Sequence, residues 1–415
     1  MKLNRIFQMI KIKMLIFLTI SCIFATLEAK ILSQWSGPFR NGIFPDEKLL
    51  KEWPQDGPKL LWEIGNLGEG YSSASVTNDR VYLTGMIHGD GFLFAYTLDG
   101  KLVWKTSYGS EWDSGHPGAR TTPTVVDDKI YLMSGKGRVV CLDTNGKILW
   151  QVDLIKTFGA RNLEWGMTES LLVDGDKLFC TPGGREVMMA VLDRYTGKTI
   201  LKIKGNGEES SYCSPVLVTH GKRRLILTMT GKSLVGVDAD TGEYLWKTTH
   251  ITQYDINPNS PIYDQGKILT VSGYGTTGTQ LFQLQADGLT IKKLWDNKRL
   301  DNQIGGIVLV DGYIYGSGHR FAGWKCLDWN TGQLQFEART LGNRGNIIFS
   351  DGMLYLYSEG GDVAIVKPNP QKFDVVSSFR VTKGSGPHWA HLVIKNGRLY
   401  IRHGEMLMVY DIASK

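Results

Sequence analysis

The 415-residue sequence predicts an all-β fold, an eight-bladed β-propeller of four-stranded antiparallel blades, and three observations carry that prediction. A short phrase ending in a large apolar residue recurs at Trp62, Trp104, Trp150, Leu201, Trp246, Trp295, Phe336 and Phe379. Its spacings are 42, 46, 51, 45, 49, 41 and 43 residues, each the length of one blade. Between the phrases lie short runs of β-branched and aromatic residues introduced by turns, as in Gly352-Met353-Leu354-Tyr355-Leu356 and Gly397-Arg398-Leu399-Tyr400-Ile401. The last unit stops after three strands, ending with Met406 to Asp411, while one phrase, Lys59 to Ile64, stands unused near the N-terminus. The N-terminal strand is therefore expected to complete the last blade and close the ring, leaving no long sheet edge exposed.

Taken along the chain, residues 1–29 read as an export signal. Lys2, Arg5, Lys11 and Lys13 precede the apolar run from Met14 to Ile20, and Leu27-Glu28-Ala29 offers a small residue for cleavage. Lys30 is expected to begin a mature chain that is periplasmic or extracellular, with no transmembrane segment left after cleavage. Two other readings compete for this stretch. The run is short for an uncleaved membrane anchor, and for lipidation at Cys22 the preceding Thr19-Ile20-Ser21 lacks the usual Leu. Residues 30–58 read as a lead-in segment and residues 59–415 as the propeller. Loss of residues 1–29 lowers the formal net charge from +6 to +3, and no Lys/Arg run with interleaved aromatics occurs. These features exclude nucleic acid as a partner.

Within the repeats, a third strand ends in a Gly-containing turn just before the phrase, as in Leu142-Asp143-Thr144-Asn145-Gly146 and Leu327-Asp328-Trp329-Asn330-Thr331-Gly332. The Trp residues of the phrases are a tempting ligand-stacking set, but their repetition assigns them to packing against the neighbouring blade. Cys141, Cys180, Cys213 and Cys326 have neither zinc nor redox spacing; Cys180 with Cys213, in adjacent blades, is the one pairing that an oxidising compartment leaves to check.

In a propeller the start of each blade's innermost strand faces the central channel, so non-repeating residues there are the functional candidates. In order they are Tyr71, Arg120, Trp165 with Glu169, Tyr212, Asn257 with Asn259, Asp301 with Gln303, Arg344, and His388 with Trp389 and His391. Such a set suits a polar, anionic or sugar-like ligand: arginine forks onto carboxylates, carboxylates and amides bind Ca²⁺, and aromatics stack on flat rings. A structural ion-pair network is the competing reading of Arg120, Glu169 and Arg344. His388 and His391 would point to opposite faces of a strand, which argues against a shared metal.

Residues 31–415 resemble the pyrroloquinoline-quinone-like propeller repeat of quinoprotein alcohol dehydrogenases and of the propeller lipoprotein of the outer-membrane β-barrel assembly machinery. Three phrases are similar to those of one secreted bacterial subgroup: Trp35-Ser36-Gly37-Pro38-Phe39-Arg40-Asn41-Gly42, Trp165-Gly166-Met167-Thr168-Glu169-Ser170 and Thr181-Pro182-Gly183-Gly184. The dehydrogenase resemblance implies that Arg120 and Arg344, with Trp165 and Trp389, hold the quinone, that Glu169 and Asn259 ligate Ca²⁺, and that Asp301 is the catalytic base. The sequence departs from that pattern. It has no adjacent Cys-Cys pair to cover the cofactor and no Trp between Leu201 and Tyr244, where the cofactor's floor would lie.

Two functions follow as expectations. The first is a secreted cell-envelope propeller that binds or scaffolds a protein or glycan through the mouth of its channel. The alternative is a pyrroloquinoline-quinone- and Ca²⁺-dependent dehydrogenase of an alcohol or sugar, with a place in polysaccharide breakdown.

Overall fold

A computed structural model describes residues 30–414; residues 1–29, read above as an export signal, lie with Cys22 outside the described residues. Eight antiparallel sheets follow one another along the chain. Blade 1 spans residues 75–110, blade 2 residues 124–153, blade 3 residues 172–203, blade 4 residues 216–249 and blade 5 residues 262–297. Blade 6 spans residues 308–338, blade 7 residues 345–380, and blade 8 combines residues 393–411 with Lys59–Ile64. That last strand pairs antiparallel with Met406–Asp411, so the two ends of the chain share one sheet.

Burial explains why each strand has its composition. In blade 2 the strands Lys129–Met133 and Arg138–Asp143 are buried along nearly their whole length, because both faces are covered by neighbouring blades, and they read as continuous apolar runs. The outer strand, Ile148–Asp153, alternates between half-buried and exposed positions and reads as a mixed sequence.

The recurring phrase marks a β-bulge. In all eight sheets the pairing of the third and fourth strands slips by one residue at this point, as between Cys141 and Leu142 in blade 2 and between Gly236 and Val237 in blade 4. The extra residue, Leu149 or Leu245 in these two cases, swings the next side chain onto the following blade. There the indole N–H of Trp62, Trp104, Trp150, Trp246 and Trp295 donates to the carbonyl of Leu98, Thr144, Arg194, Gly288 and Trp329, respectively, at 2.9–3.0 Å. The glycine turns make room for these rings. Gly146 has φ +87°, and a Cβ there would lie 2.7 Å from Trp104. The phrase residues are thus inter-blade anchors, as their repetition predicts, although most remain half-buried rather than fully enclosed. Blade 7 differs from the sequence reading. Its bulge places Ser377, not Phe379, opposite Ile365, and Phe379 packs two residues further on, against Gly57.

The lead-in segment is the other departure from a plain repeat. Ile31–Ser33 adds a fifth strand on the inner side of blade 2, and Ile43–Phe44 pairs parallel with the innermost strand of blade 7. Residues 31–44 therefore enter the central channel from the end opposite the starts of the innermost strands. Arg40 anchors them: 3% exposed, it donates to the carbonyls of Ser170 and Pro215 at 2.8 and 3.0 Å and to that of Leu171 at 2.5 Å. The segment then leaves between blades 7 and 8, where Leu49 and Trp53 are buried. Cys141, Cys180, Cys213 and Cys326 are all buried free thiols, so Cys180 and Cys213 are not bridged.

Candidate functional site

With one end of the channel filled by the lead-in segment, the other end is a cup of about 430 Å³. Seven of the residues placed at the mouth by sequence line it: Tyr71, Arg120, Trp165, Tyr212, Gln303, Trp389 and His391. The structure adds Trp35 from the lead-in segment at its floor, His116, Glu164 and Tyr254 from the loops after blades 1, 2 and 4, and Tyr274 from a loop within blade 5.

One wall is a run of touching rings. Tyr71 meets Trp389 with centroids 5.2 Å apart, Trp389 meets His116 at 4.8 Å, and His116 meets Trp165 at 5.9 Å. Facing it, Tyr254 and Tyr274 pack edge to face at 5.1 Å, and Gln303 donates to the Tyr274 hydroxyl at 2.9 Å. Two glycines let the loops approach. A Cβ on Gly115 would lie 2.5 Å from Trp165, and one on Gly166 would lie 2.7 Å from Trp112, so each loop lays an indole on the other's backbone. Glu111 anchors the His116 loop by accepting from the Tyr108 hydroxyl at 2.7 Å and the Trp112 N–H at 2.8 Å.

Arg120 sits in the ring wall, 5.4 Å from the centre of Tyr71. Its Nη2 donates to the carbonyls of His116 and Gly115, whereas its Nε is buried without an acceptor. Among the described residues it has no ion-pair partner. Burial lowers its pKa, with Tyr71, Glu111 and Tyr212 acting in the opposite sense. The Tyr212 hydroxyl, which accepts from the Trp165 N–H at 3.2 Å, is pushed up to about 12 by burial and is neutral at physiological pH. At the floor, His391 bonds the Ile304 carbonyl through Nε2 at 2.9 Å and lies 5.4 Å from Trp35, and burial lowers its pKa.

The other sequence candidates lie outside the cup lining. Glu169 is 2% exposed; Oε2 accepts from the Thr181 N–H at 2.9 Å and Oε1 has no partner. Burial pushes its pKa up to about 8, with the Thr181 N–H and Arg40 pulling the other way. Asp301 is fully buried, and its carboxylate accepts from the backbone N–H groups of His319, Arg320 and Phe321 at 2.9, 2.9 and 3.3 Å. Arg344 faces Glu359 at 3.6 Å. His388 stacks on His403 at 3.6 Å while His391 turns to the floor, so the two histidines part company. No group of three or more His, Cys, Asp or Glu gathers as a metal cage among the described residues.

Asn259 belongs to a polar belt that ties the blades together beneath the cup. Ser73 N–H donates to Thr122 Oγ1 at 3.0 Å, Thr122 N–H to Ser170 Oγ at 3.2 Å, and Ser170 N–H to Ser214 Oγ at 2.9 Å. Ser260 Oγ donates to the Ser214 carbonyl, Asn259 Nδ2 to that of Asn302 at 3.0 Å, Asn302 Nδ2 to that of Gly345 at 3.3 Å, and Asn346 Nδ2 to that of Ala390 at 3.2 Å. Arg402, 1% exposed, closes the circle from blade 8 to blade 1 by donating to Ser72 Oγ and the Thr84 carbonyl at 2.6 Å each. Apart from the Arg402 closure, which reaches from the second strand of blade 8, each link runs from the start of one innermost strand to its neighbour. The residues' lack of a common type hides the belt in the sequence.

A family profile described as outer membrane protein assembly factor BamB matches residues 50–204 and 89–336. A quinoprotein ethanol dehydrogenase of Pseudomonas aeruginosa is 28% identical over 157 residues, which are 35% of this chain and 24% of that protein, so the match spans about a quarter of the relative's length. Among solved structures, BamB from Moraxella catarrhalis superposes with a TM-score of 0.60 at 16% identity, covering 86% of this chain and 100% of that one. A europium-containing methanol dehydrogenase superposes with a TM-score of 0.64 at 12% identity, covering 88% of both chains. Profile, repeat and ring agree: the chain belongs to the pyrroloquinoline-quinone-like propeller family described as outer membrane protein assembly factor BamB.

Proposed function

We propose that the chain is a cell-envelope binding propeller whose mouth seats a glycan. The observation that carries this reading is the cup itself: closed below by the chain's own Trp35, walled by Trp165, Trp389, Tyr71 and Tyr212, and edged with Gln303 and Glu164. Its volume of about 430 Å³ falls within the roughly 300–1,000 Å³ typical of small-ligand sites. Ring angles bear on what would fit. Adjacent rings meet at 47° for Tyr71–Trp389, 63° for His116–Trp389, 48° for His116–Trp165 and 83° for Tyr254–Tyr274. Walls bent in this way offer faces in several directions to a puckered sugar with C–H bonds on each side. A flat tricyclic quinone calls for parallel faces.

The dehydrogenase reading draws on the similarity to quinoprotein ethanol dehydrogenase. The donors assigned to it do not meet the requirement. Asp301 is spent on the N–H groups of His319, Arg320 and Phe321; Glu169 Oε1 and Asn259 Oδ1 keep no partner, but neither residue lines the cup and no group of three or more His, Cys, Asp or Glu gathers there among the described residues, so the residues present do not fit Ca²⁺ beside a quinone.

Titration of residues 30–415 with oligosaccharides, followed by tryptophan emission and calorimetry, tests the proposal. Binding that shifts the emission and is lost in Trp389→Ala is the expected result. Silence toward every oligosaccharide, with tight Ca²⁺-dependent uptake of pyrroloquinoline quinone, would reverse the order of the two readings.

A further inference from the structure

We infer that the ligand of the cup is an acidic sugar, its carboxylate received by Arg120 and its ring laid against Trp389 and Trp165. The inference rests on the glycan reading above and adds the charge of the ligand. A guanidinium presents five N–H donors, and a protein that buries one ordinarily pairs it. Here only Nη2 is engaged, by the carbonyls of His116 and Gly115; Nη1 has no acceptor among the described residues, and Nε is both buried and unpartnered.

Other buried arginines show what satisfaction looks like in this protein. Arg40 engages all three nitrogens, Nε on Gln34 Oε1 at 2.8 Å, Nη1 on the Ser170 and Pro215 carbonyls and Nη2 on that of Leu171, and Arg402 donates to the Gly404 carbonyl at 2.8 Å as well as to Ser72 and Thr84. Arg120 alone among these three lines the cup. The two carbonyls on Nη2 fix the orientation of the fork, and the Tyr71 face beneath it leaves the edge open to a planar anion. Trp165 and Trp389 both touch His116, the residue whose carbonyl holds that fork, so stacking surface and anion receptor are built from one loop contact. Within a low-dielectric cup, a charge-assisted pair of this kind contributes more than the same pair in water.

The test is a matched pair of ligands titrated into residues 30–415: uronate disaccharides (glucuronate-, galacturonate- and mannuronate-ended) and the same disaccharides with each carboxyl reduced to a primary alcohol. At least one acid should bind 10-fold or more tighter than its reduced partner, with the preference falling as salt is raised. Arg120→Gln should erase that preference, so that acid and reduced sugar bind equally, with Arg120→Lys recovering part of it. Equal affinity of wild type for acid and reduced sugar would overturn the inference while leaving the glycan reading standing. Silence toward both would overturn both. Equal or tighter binding of a short peptide through its C-terminal carboxylate would overturn the assignment to a sugar. The wild-type comparison alone decides the question should the variants prove unstable.

Discussion

Glu169 shows how one buried group sets the pH response of the ring. In the folded protein its carboxyl keeps its proton to about pH 8, whereas in the unfolded chain it ionises near pH 4.5. Between those values the folded state holds the extra proton, so this residue's contribution to stability is full below about pH 4.5 and is lost as the pH rises through 8. Glu169→Gln should therefore match wild type in unfolding free energy at pH 5 and exceed it at pH 8.5 by at least about 1 kcal/mol, the worth of roughly one pKa unit. Parallel pH slopes for the two proteins would show that Glu169 does not titrate in this window. The phrase that contains Glu169 meets the other two distinctive phrases here: Arg40 holds the carbonyls of Ser170 and Leu171, and the Thr181 N–H holds Glu169. Arg40→Met removes four charge-assisted hydrogen bonds, to Gln34 Oε1 and to the carbonyls of Ser170, Pro215 and Leu171, and a loss of roughly 2–4 kcal/mol is expected by denaturant unfolding.

Among the elements, the bulge with its anchor is the repeated unit of strength. Trp104→Ala removes a half-buried indole and its bond to the Thr144 carbonyl, and should cost about 2–3 kcal/mol. Gly146→Ala attacks the same contact from the other side, through a positive φ and a clash with the ring, and should destabilise comparably. In the double variant the two losses should not add, because they break one contact; full additivity in chemical denaturation would show that the ring and the turn act independently. This is the level at which the sequence was most legible. A large side chain every 41 to 51 residues is visible without coordinates because every blade needs the same anchor at the same bulge. Phe379 misled by two residues because side chains two apart on a strand share a face: the large apolar residue that carries the pattern stands two positions beyond Ser377, which takes the bulge position. The cup was legible only in part. Arg120, Trp165, Tyr212 and Trp389 stand at the starts of innermost strands, where topology alone places them. Glu169, Asn259 and Asp301 share that address, but neighbouring backbone groups capture their side chains. Tyr254, Tyr274 and His116 stand on loops with no repeating mark, and Trp35 arrives from outside the repeat altogether.

For the molecule as a whole, the lead-in segment converts a channel open at both ends into a cup. A chain beginning at Lys48 keeps the closing strand Lys59–Ile64 but lacks Trp35 and Arg40. It should fold with a lowered midpoint and lose oligosaccharide binding; undiminished binding would show that the floor takes no part. The direction of the chain has a practical side. The backbone nitrogen of Lys30 reaches Asp127 Oδ1 at 3.0 Å, beyond the far end of blade 2's innermost strand, and the Ser414 N–H reaches the Lys48 carbonyl at 2.7 Å on that same face. Both described ends thus leave from the side away from the cup. A tether fixed at either end, to a sensor chip or to any other surface, holds the propeller with its opening turned outward toward solution, so capture and presentation of a ligand need no rearrangement of the ring.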